Sequence, residues 1–311
     1  MVGVEIEFGG LSPDDATEIA VRCLGGSPAK AAAGDWRLDG STLGRLKIYL
    51  DTALRPEGTG FLAETEIAIG RQIVPVEIVT DPVSQECLPD VERLVAALAR
   101  AGAEGSRAAP LYGFGLHLNV ALADPRGGAD LPRGALAFAL LEPWLRARDP
   151  LDPSRRILPF TAPFPPAFAD AMAEAGPGLA LDALFDLIDA QVRSRNHGLD
   201  LLPAYAALAP DRFAGHPAAG GAVSARPAYH VRMPESRLDE PGWSLSYEWR
   251  RWWLVERVAA DPPLLSRLCA LRLRLRERFF AGSALVAETT EALGSLSALA
   301  PDGGPQGGQA G

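Results

Sequence analysis

VGVEIEF, residues 2–8, is an apolar run that carries two carboxylates. Val2, Val4, Ile6 and Phe8 alternate with Gly3, Glu5 and Glu7. Alternation with period two reads as a β-strand. Side chains at i and i+2 share a face, so Glu5 and Glu7 point the same way. They are either the solvated face of a half-exposed strand or a pair of hard oxygen ligands for Mg²⁺ or Mn²⁺. A strand that starts at residue 2 is tied into a sheet, or the native chain begins upstream of Met1.

Working outward, bulk properties narrow the classes. The chain has 311 residues, 48% apolar and 22% charged, which suits a soluble globular protein with a sizeable core. A net charge of −9 and a pI near 5.1 argue against a nucleic-acid binder. Cys23, Cys87 and Cys269 are far apart and form no CxxC pair, so a reducing cytoplasm is expected rather than a disulfide framework or zinc ribbon. No signal peptide and no transmembrane run is legible.

Ser12-Pro13-Asp14-Asp15 predicts a helix start, with an apolar face of Ala16, Ile19, Ala20 and Cys23 and a stop at Gly25-Gly26. Strands are expected at Asp35–Leu38, Leu46–Asp51, Ile73–Thr80, Tyr112–Ala121 and Tyr229–Met233, with a hairpin turn at Asp39-Gly40. Helices are expected at Asp90–Ala101, at Ala135–Arg148 with an interruption near Pro143, and at Leu179–Arg193, Leu245–Ala260 and Leu264–Phe280. The Pro-rich stretch Pro150–Pro166, with Arg155, Arg156 and Pro163, is a lid or a surface wrap with basic residues facing solvent. Trp249, Trp252 and Trp253 belong to the core or to an interface. The pattern is not strict βαβ alternation, so an α+β fold with a mostly antiparallel sheet is expected. Residues 1–300 are read as one domain and 301–311 as a disordered Gly/Pro-rich tail.

Further strands repeat the opening motif. Glu77 is a lone acid in VPVEIV, residues 74–79; His117 and Asn119 form an i, i+2 pair in YGFGLHLNV, residues 112–120. His230 and Arg232 form another in YHVRM, and Asp51 ends LKIYLD. Unpaired carboxylates in buried strands cost several kcal/mol, so such acids need cations. Glu5, Glu7, Glu77 and His117 on one sheet face would suit divalent ions bridged by nucleotide phosphates, and Arg232 would supply a fixed cation for a transferring phosphoryl group. No GxxxxGK[ST], HExxH, GxSxG or GxGxxG element is present.

In this order VGVEIEFGGL, VPVEIVTDP, GLHLNV and HVR resemble the amidoligase family related to glutamine synthetase and glutamate–cysteine ligase, over about residues 2 to 260. The resemblance implies a curved antiparallel sheet with helices on its outer face, as in the glutamine synthetase catalytic domain. It implies ATP-dependent formation of an amide from a carboxylate and an amine through an acyl phosphate. It places metal-binding acids at Glu5, Glu7 and Glu77, the family's histidine strand at His117, and a phosphate-binding arginine at Arg232, with Arg226 as a second anion contact. His230 stands where the family pattern expects Glu, which removes one negative charge; as a histidine it can still bind a metal or orient a phosphate, so it is a catalytic candidate beside Arg232. Arg195–Asp200 resembles the family's stretch before its late strand; His197 there is a substrate-side candidate, or with Asp200 part of a locally hydrogen-bonded turn. Asn119 is a further phosphate or substrate contact.

The expected cofactors are ATP and Mg²⁺ or Mn²⁺, and the partners are a small-molecule or peptide carboxylate and an amine, without nucleic acid or membrane. A homo-oligomer is open. The rival readings are a phosphotransferase on the same architecture, a metal-dependent hydrolase and a non-catalytic binding subunit. The sequence names neither substrate.

Overall fold

The computed structural model of the chain describes residues 1–31, 35–51, 74–108, 112–157, 161–221, 223–276 and 281–301. By internal contact the chain forms two compact units. Unit 1 is Met1–Asn119, Asp152–Leu158 and Met233–Ser246; unit 2 is Val120–Leu151, Pro159–Arg232 and Tyr247–Gly311.

Unit 1 is built on strands β1 (Val2–Phe8), β2 (Ser27–Lys30), β3 (Trp36–Ser41), β4 (Gly44–Leu50), β5 (Val76–Thr80) and the start of β6 (Leu116–Ala121), in the order β2-β3-β4-β5-β1-β6. The pairs β2–β3, β3–β4, β4–β5 and β5–β1 are antiparallel. Ile48, Ile78 and Ile6 lie in one cross-strand row, and all three are buried. The neighbouring row is Tyr49, Glu77 and Glu7. Successive rows point to opposite faces, so the isoleucines form an apolar face and the acids share the other. Helices Pro13–Leu24 and Leu88–Arg100 pack on each other, and the first packs on β3 and β4. A reciprocal capping box starts that first helix: Ser12 Oγ accepts from the Asp15 amide while the Asp15 carboxylate accepts from the Ser12 amide. Between β1 and this helix, Gly10 has φ +79°, and a Cβ there would stand 2.3 Å from the Gly102 carbonyl, so this crossing admits only glycine.

Unit 2 holds the end of β6, then β8 (Ala228–Val231) beside β7 (Leu199–Asp200), the latter two antiparallel with Asp200 opposite His230. Helices Asp130–Arg148, Pro166–Ala175, Pro262–Leu275 and Ala281–Leu293 pack together around Phe138, Trp144, Phe168 and Leu268. Trp144 Nε1 donates to Thr290 Oγ1 at 2.8 Å, which gives a fully buried indole its partner.

Helices with an antiparallel sheet agree with the expected class, while several local expectations are corrected. Helix Asp130–Arg148 runs through Pro143 without a break. Most of its residues from Leu131 to Leu145 are buried, and that packing outweighs the loss of one N–H donor. The β3–β4 turn lies at Thr42-Leu43; Gly40, at φ +72°, instead falls where the register shifts between Leu38 and Ser41. Strand β5 starts at Val76, because Pro75 has no N–H for the ladder. Strand β6 starts only at Leu116; before it, the Phe114 carbonyl accepts from the Ser236 amide and Gly115 bridges Glu235. Strand β8 stops at Val231, yet the Arg232 amide still donates to the Gly198 carbonyl. Cys23 is only half-buried.

The Pro-rich stretch contains helix Pro153–Ile157 and leads into helix Pro166–Ala175, whose start proline suits a first helical turn. Arg155 is buried and only Arg156 is exposed, so the basic residues do not both face solvent. The tryptophans divide: Trp252 is buried, Trp249 half-buried and Trp253 exposed. Ile73, residues 277–280 of the last expected helix and the tail from residue 302 lie outside the described residues.

Candidate functional site

Unit 1 brings Glu5, Glu7, Glu77, His117 and Asn119 onto one sheet face. Register does this: Glu7 sits opposite Glu77, and Glu77 sits opposite Tyr49. On the other side of β1 the contacts run in opposite order, Glu7 to Gly115 and Glu5 to His117 and Asn119. Two glycines make room. A Cβ on Gly3 would touch Asn119 at 3.4 Å, and one on Gly115 would stand 2.6 Å from His117 Nε2.

Each carboxylate is held. Glu5 Oε2 lies 3.0 Å from His117 Nδ1, and Glu5 Oε1 accepts from Asn119 Nδ2 at 2.7 Å. Glu7 Oε2 accepts from the Gly115 amide at 2.6 Å. Glu77 accepts from the Tyr49 hydroxyl. A neutral His117 that donates Nδ1–H to Glu5 presents Nε2 as its ligand nitrogen. Asn119 is 9% exposed, and its Oδ1 has no hydrogen-bond partner among the described residues. Since Nδ2 faces a carboxylate, Oδ1 is a fixed, buried acceptor.

One ligand atom each from Glu7, Glu77 and His117 lie within 4.8 Å of one another, and all three residues are buried. Burial, then the charges of Glu7 and Glu5, push the Glu77 carboxyl up to about 8, against the smaller opposing effect of the Tyr49 hydrogen bond. The same burial and the Glu77 charge push the Tyr49 phenol well above its usual range. Crowded buried acids with an imidazole nitrogen among them fit a hard divalent cation, which would replace the proton that Glu77 otherwise retains. Glu5 also holds the imidazole of His117 and the Asn119 amide in place.

Unit 2 holds the other candidates. Asp200 is 1% exposed; its Oδ2 meets His230 Nδ1 at 3.2 Å and Arg195 Nε at 3.3 Å, and its Oδ1 accepts from the Leu202 amide at 3.1 Å. Burial alone would raise its pKa, but the His230 hydrogen bond and the charges of His230, Arg195 and Arg232 outweigh it and leave the carboxyl below its ordinary value. Asp200 is therefore more than a local turn residue. Half-buried Arg232 has Asp200 as an anion in its own unit, and its Nη1 donates to the Arg195 carbonyl at 3.3 Å. His197 packs against Phe164 at 5.5 Å with Nδ1 3.1 Å from the Pro163 carbonyl, holding the 161–164 segment. Arg226 lies before β8, half-buried, its amide bonded to the Pro203 carbonyl.

Sequence reasoning missed Tyr49 on the acid face and read Arg155 only as part of the Pro-rich lid or surface wrap. Tyr49 could have been found, since LKIYLD puts it on the same side as Asp51. Arg155 had no local signal; it reaches the face through a hydrogen bond to Gly113, 42 residues away in sequence.

Fold and site first define a class: an antiparallel-sheet protein whose sheet face carries a buried carboxylate–imidazole cluster of metal-ligand type. Residues 1–254 match the family described as "Putative amidoligase enzyme", and the chain belongs to this amidoligase family. No curated protein and no solved structure matches the chain. Among the described residues, no helix is long and apolar enough to cross a membrane.

Proposed function

We propose that this protein is an ATP-dependent carboxylate–amine ligase working through an acyl phosphate, on the plan of glutamine synthetase and glutamate–cysteine ligase. The observation that carries the reading is the Glu7–Glu77–His117 cluster in a chain of the amidoligase family. A carboxylate at neutral pH is a poor electrophile, and phosphorylation gives it a leaving group that an amine displaces. A bound Mg²⁺ or Mn²⁺ would neutralise phosphate charge.

The chain's own residues prepare that site. Glu7 and Glu77 supply the hard oxygens. Glu5 fixes the His117 tautomer and ring plane, so Nε2 is presented without a rotamer search. The Gly115 amide and the Tyr49 hydroxyl hold the two acids, and Asn119 Oδ1 offers an acceptor to a donor on the bound molecule. Arg232, beside Asp200 in its own unit, is assigned to the transferring phosphoryl group from its match to the family's arginine.

The test is ADP release with pooled amino acids and polyamines, in Mg²⁺ and in EDTA. The expected result is metal-dependent release that needs both a carboxylate and an amine, and a hydroxamate when hydroxylamine replaces the amine. Release with an acceptor and no amine consumed would make the protein a phosphotransferase; no release with intact ATP binding would favour the binding subunit.

A further inference from the structure

Arg155 is 2% exposed, and a guanidinium so buried needs anions or carbonyls around it. Its Nη1 donates to the Gly113 carbonyl at 2.6 Å. Its Nη2 lies 3.0 Å from the point where a Gly115 Cβ would stand, and His117 Nε2 lies 2.6 Å from the same point. The Gly115 amide meanwhile donates to Glu7 Oε2. One glycine thus has a cation, a candidate ligand nitrogen and a candidate ligand carboxylate gathered around it, and any side chain there would drive them apart.

The segment that carries Arg155 is itself anchored within unit 1. The Asp152 amide donates to Glu235 Oε1 at 2.7 Å, and Arg107 Nη2 donates to Glu235 Oε2 at 2.9 Å. Glu235 is 3% exposed. The Asp152 carbonyl accepts from the Arg156 amide and starts the turn that presents Arg155. A buried carboxylate therefore fixes the segment, and a carbonyl fixes one nitrogen of the fork, while the other nitrogen is turned toward the acid face.

We propose that Arg155 is the phosphate contact of the Glu7–Glu77–His117 face, with Glu235 as its positioning residue; this rests on reading that face as a metal–nucleotide site. Its second nitrogen, held beside Gly115 and the ligand nitrogen of His117, is complementary in charge and geometry to a phosphate oxygen brought to this face by a divalent ion. Arg155 belongs to none of the strand motifs, and only folding brings it to this face.

The experiment is calorimetry on the whole chain and its Arg155→Met, Arg155→Lys and Glu235→Gln variants. Each is titrated with Mn²⁺ alone, and with ATP and with adenosine in saturating Mg²⁺. The expected result for Arg155→Met is unchanged or tighter Mn²⁺ binding, ATP binding weakened about ten- to hundredfold, and adenosine binding unchanged. Arg155→Lys, which keeps the charge without the fork, falls between, and Glu235→Gln shows the same pattern more weakly. ATP and adenosine affinities that fall together, or an ATP affinity that Arg155→Lys and Arg155→Met leave unchanged, would overturn the assignment and make Arg155 a structural clamp. A parent protein that binds Mn²⁺ but no ATP would instead sink the nucleotide reading itself.

Discussion

Glu77 sits directly across from Glu7, both buried, and at neutral pH only a proton or a cation relieves the pair. Glu77→Gln keeps shape and the chance of a Tyr49 hydrogen bond while removing the charge. In EDTA this variant should melt about 3 °C higher than the parent, the shift that ~1 kcal/mol makes in a large domain. In Mg²⁺ the order should reverse, because the variant has lost a metal ligand. Differential scanning fluorimetry in the two buffers checks it; a variant that melts lower in EDTA would mean that Glu77 is stabilised as an anion without metal. At this scale the sequence showed that Glu5 and Glu7 share a face, and that Glu77, His117 and Asn119 are polar residues inside apolar strands. It did not show that Glu5 serves His117, because a hydrogen bond across 112 residues has no local signature.

Strands β7 and β8 meet through Asp200 and His230, a cross-strand pair whose partner contacts are buried. Two residues make a short strand, so the side-chain network carries much of the joint. The Asp200 carboxyl has its pKa lowered below the ordinary 3.8 in the folded state. Its contribution is therefore full above pH 3.8 and is lost as pH falls through the lower folded value. Asp200→Asn should cost about 3 kcal/mol at pH 7, since it removes a buried anion that is hydrogen-bonded to His230, Arg195 and the Leu202 amide. The difference from the parent should shrink in urea melts taken progressively below pH 3.8; a difference independent of pH would place the loss in packing, not charge. The elements themselves were largely legible. Periodicity located β1, β4, β5 and β8 and helices such as Leu88–Arg100, because one-sided burial imprints its period on the sequence. It failed for β2, Ser27–Lys30, whose four residues are all exposed and so carry no apolar alternation. It also failed at Pro143, where a helix buried nearly all round tolerates what an isolated helix would not.

For the whole molecule, a metal that binds the native acid face and not the unfolded chain must raise stability. Mg²⁺ or Mn²⁺ at about a hundredfold excess over its dissociation constant should add about 2.7 kcal/mol. Urea unfolding with and without the ion measures it, and equal midpoints would remove the metal from this face. The amino-acid sequence by itself determined the chemistry available: which side chains alternate, which acids share a strand face, the antiparallel α+β class and the ordered motifs of the amidoligase family. These follow from the pleat and from burial, which act on neighbours along the chain. Tertiary structure alone decided which strands lie side by side, that Glu7 faces Glu77 and Tyr49, that Gly115 bonds Glu7 across 108 residues, and that Arg155 comes to the same glycine. Strand order and register come from the joint burial of distant segments, and no short stretch of sequence encodes that sum.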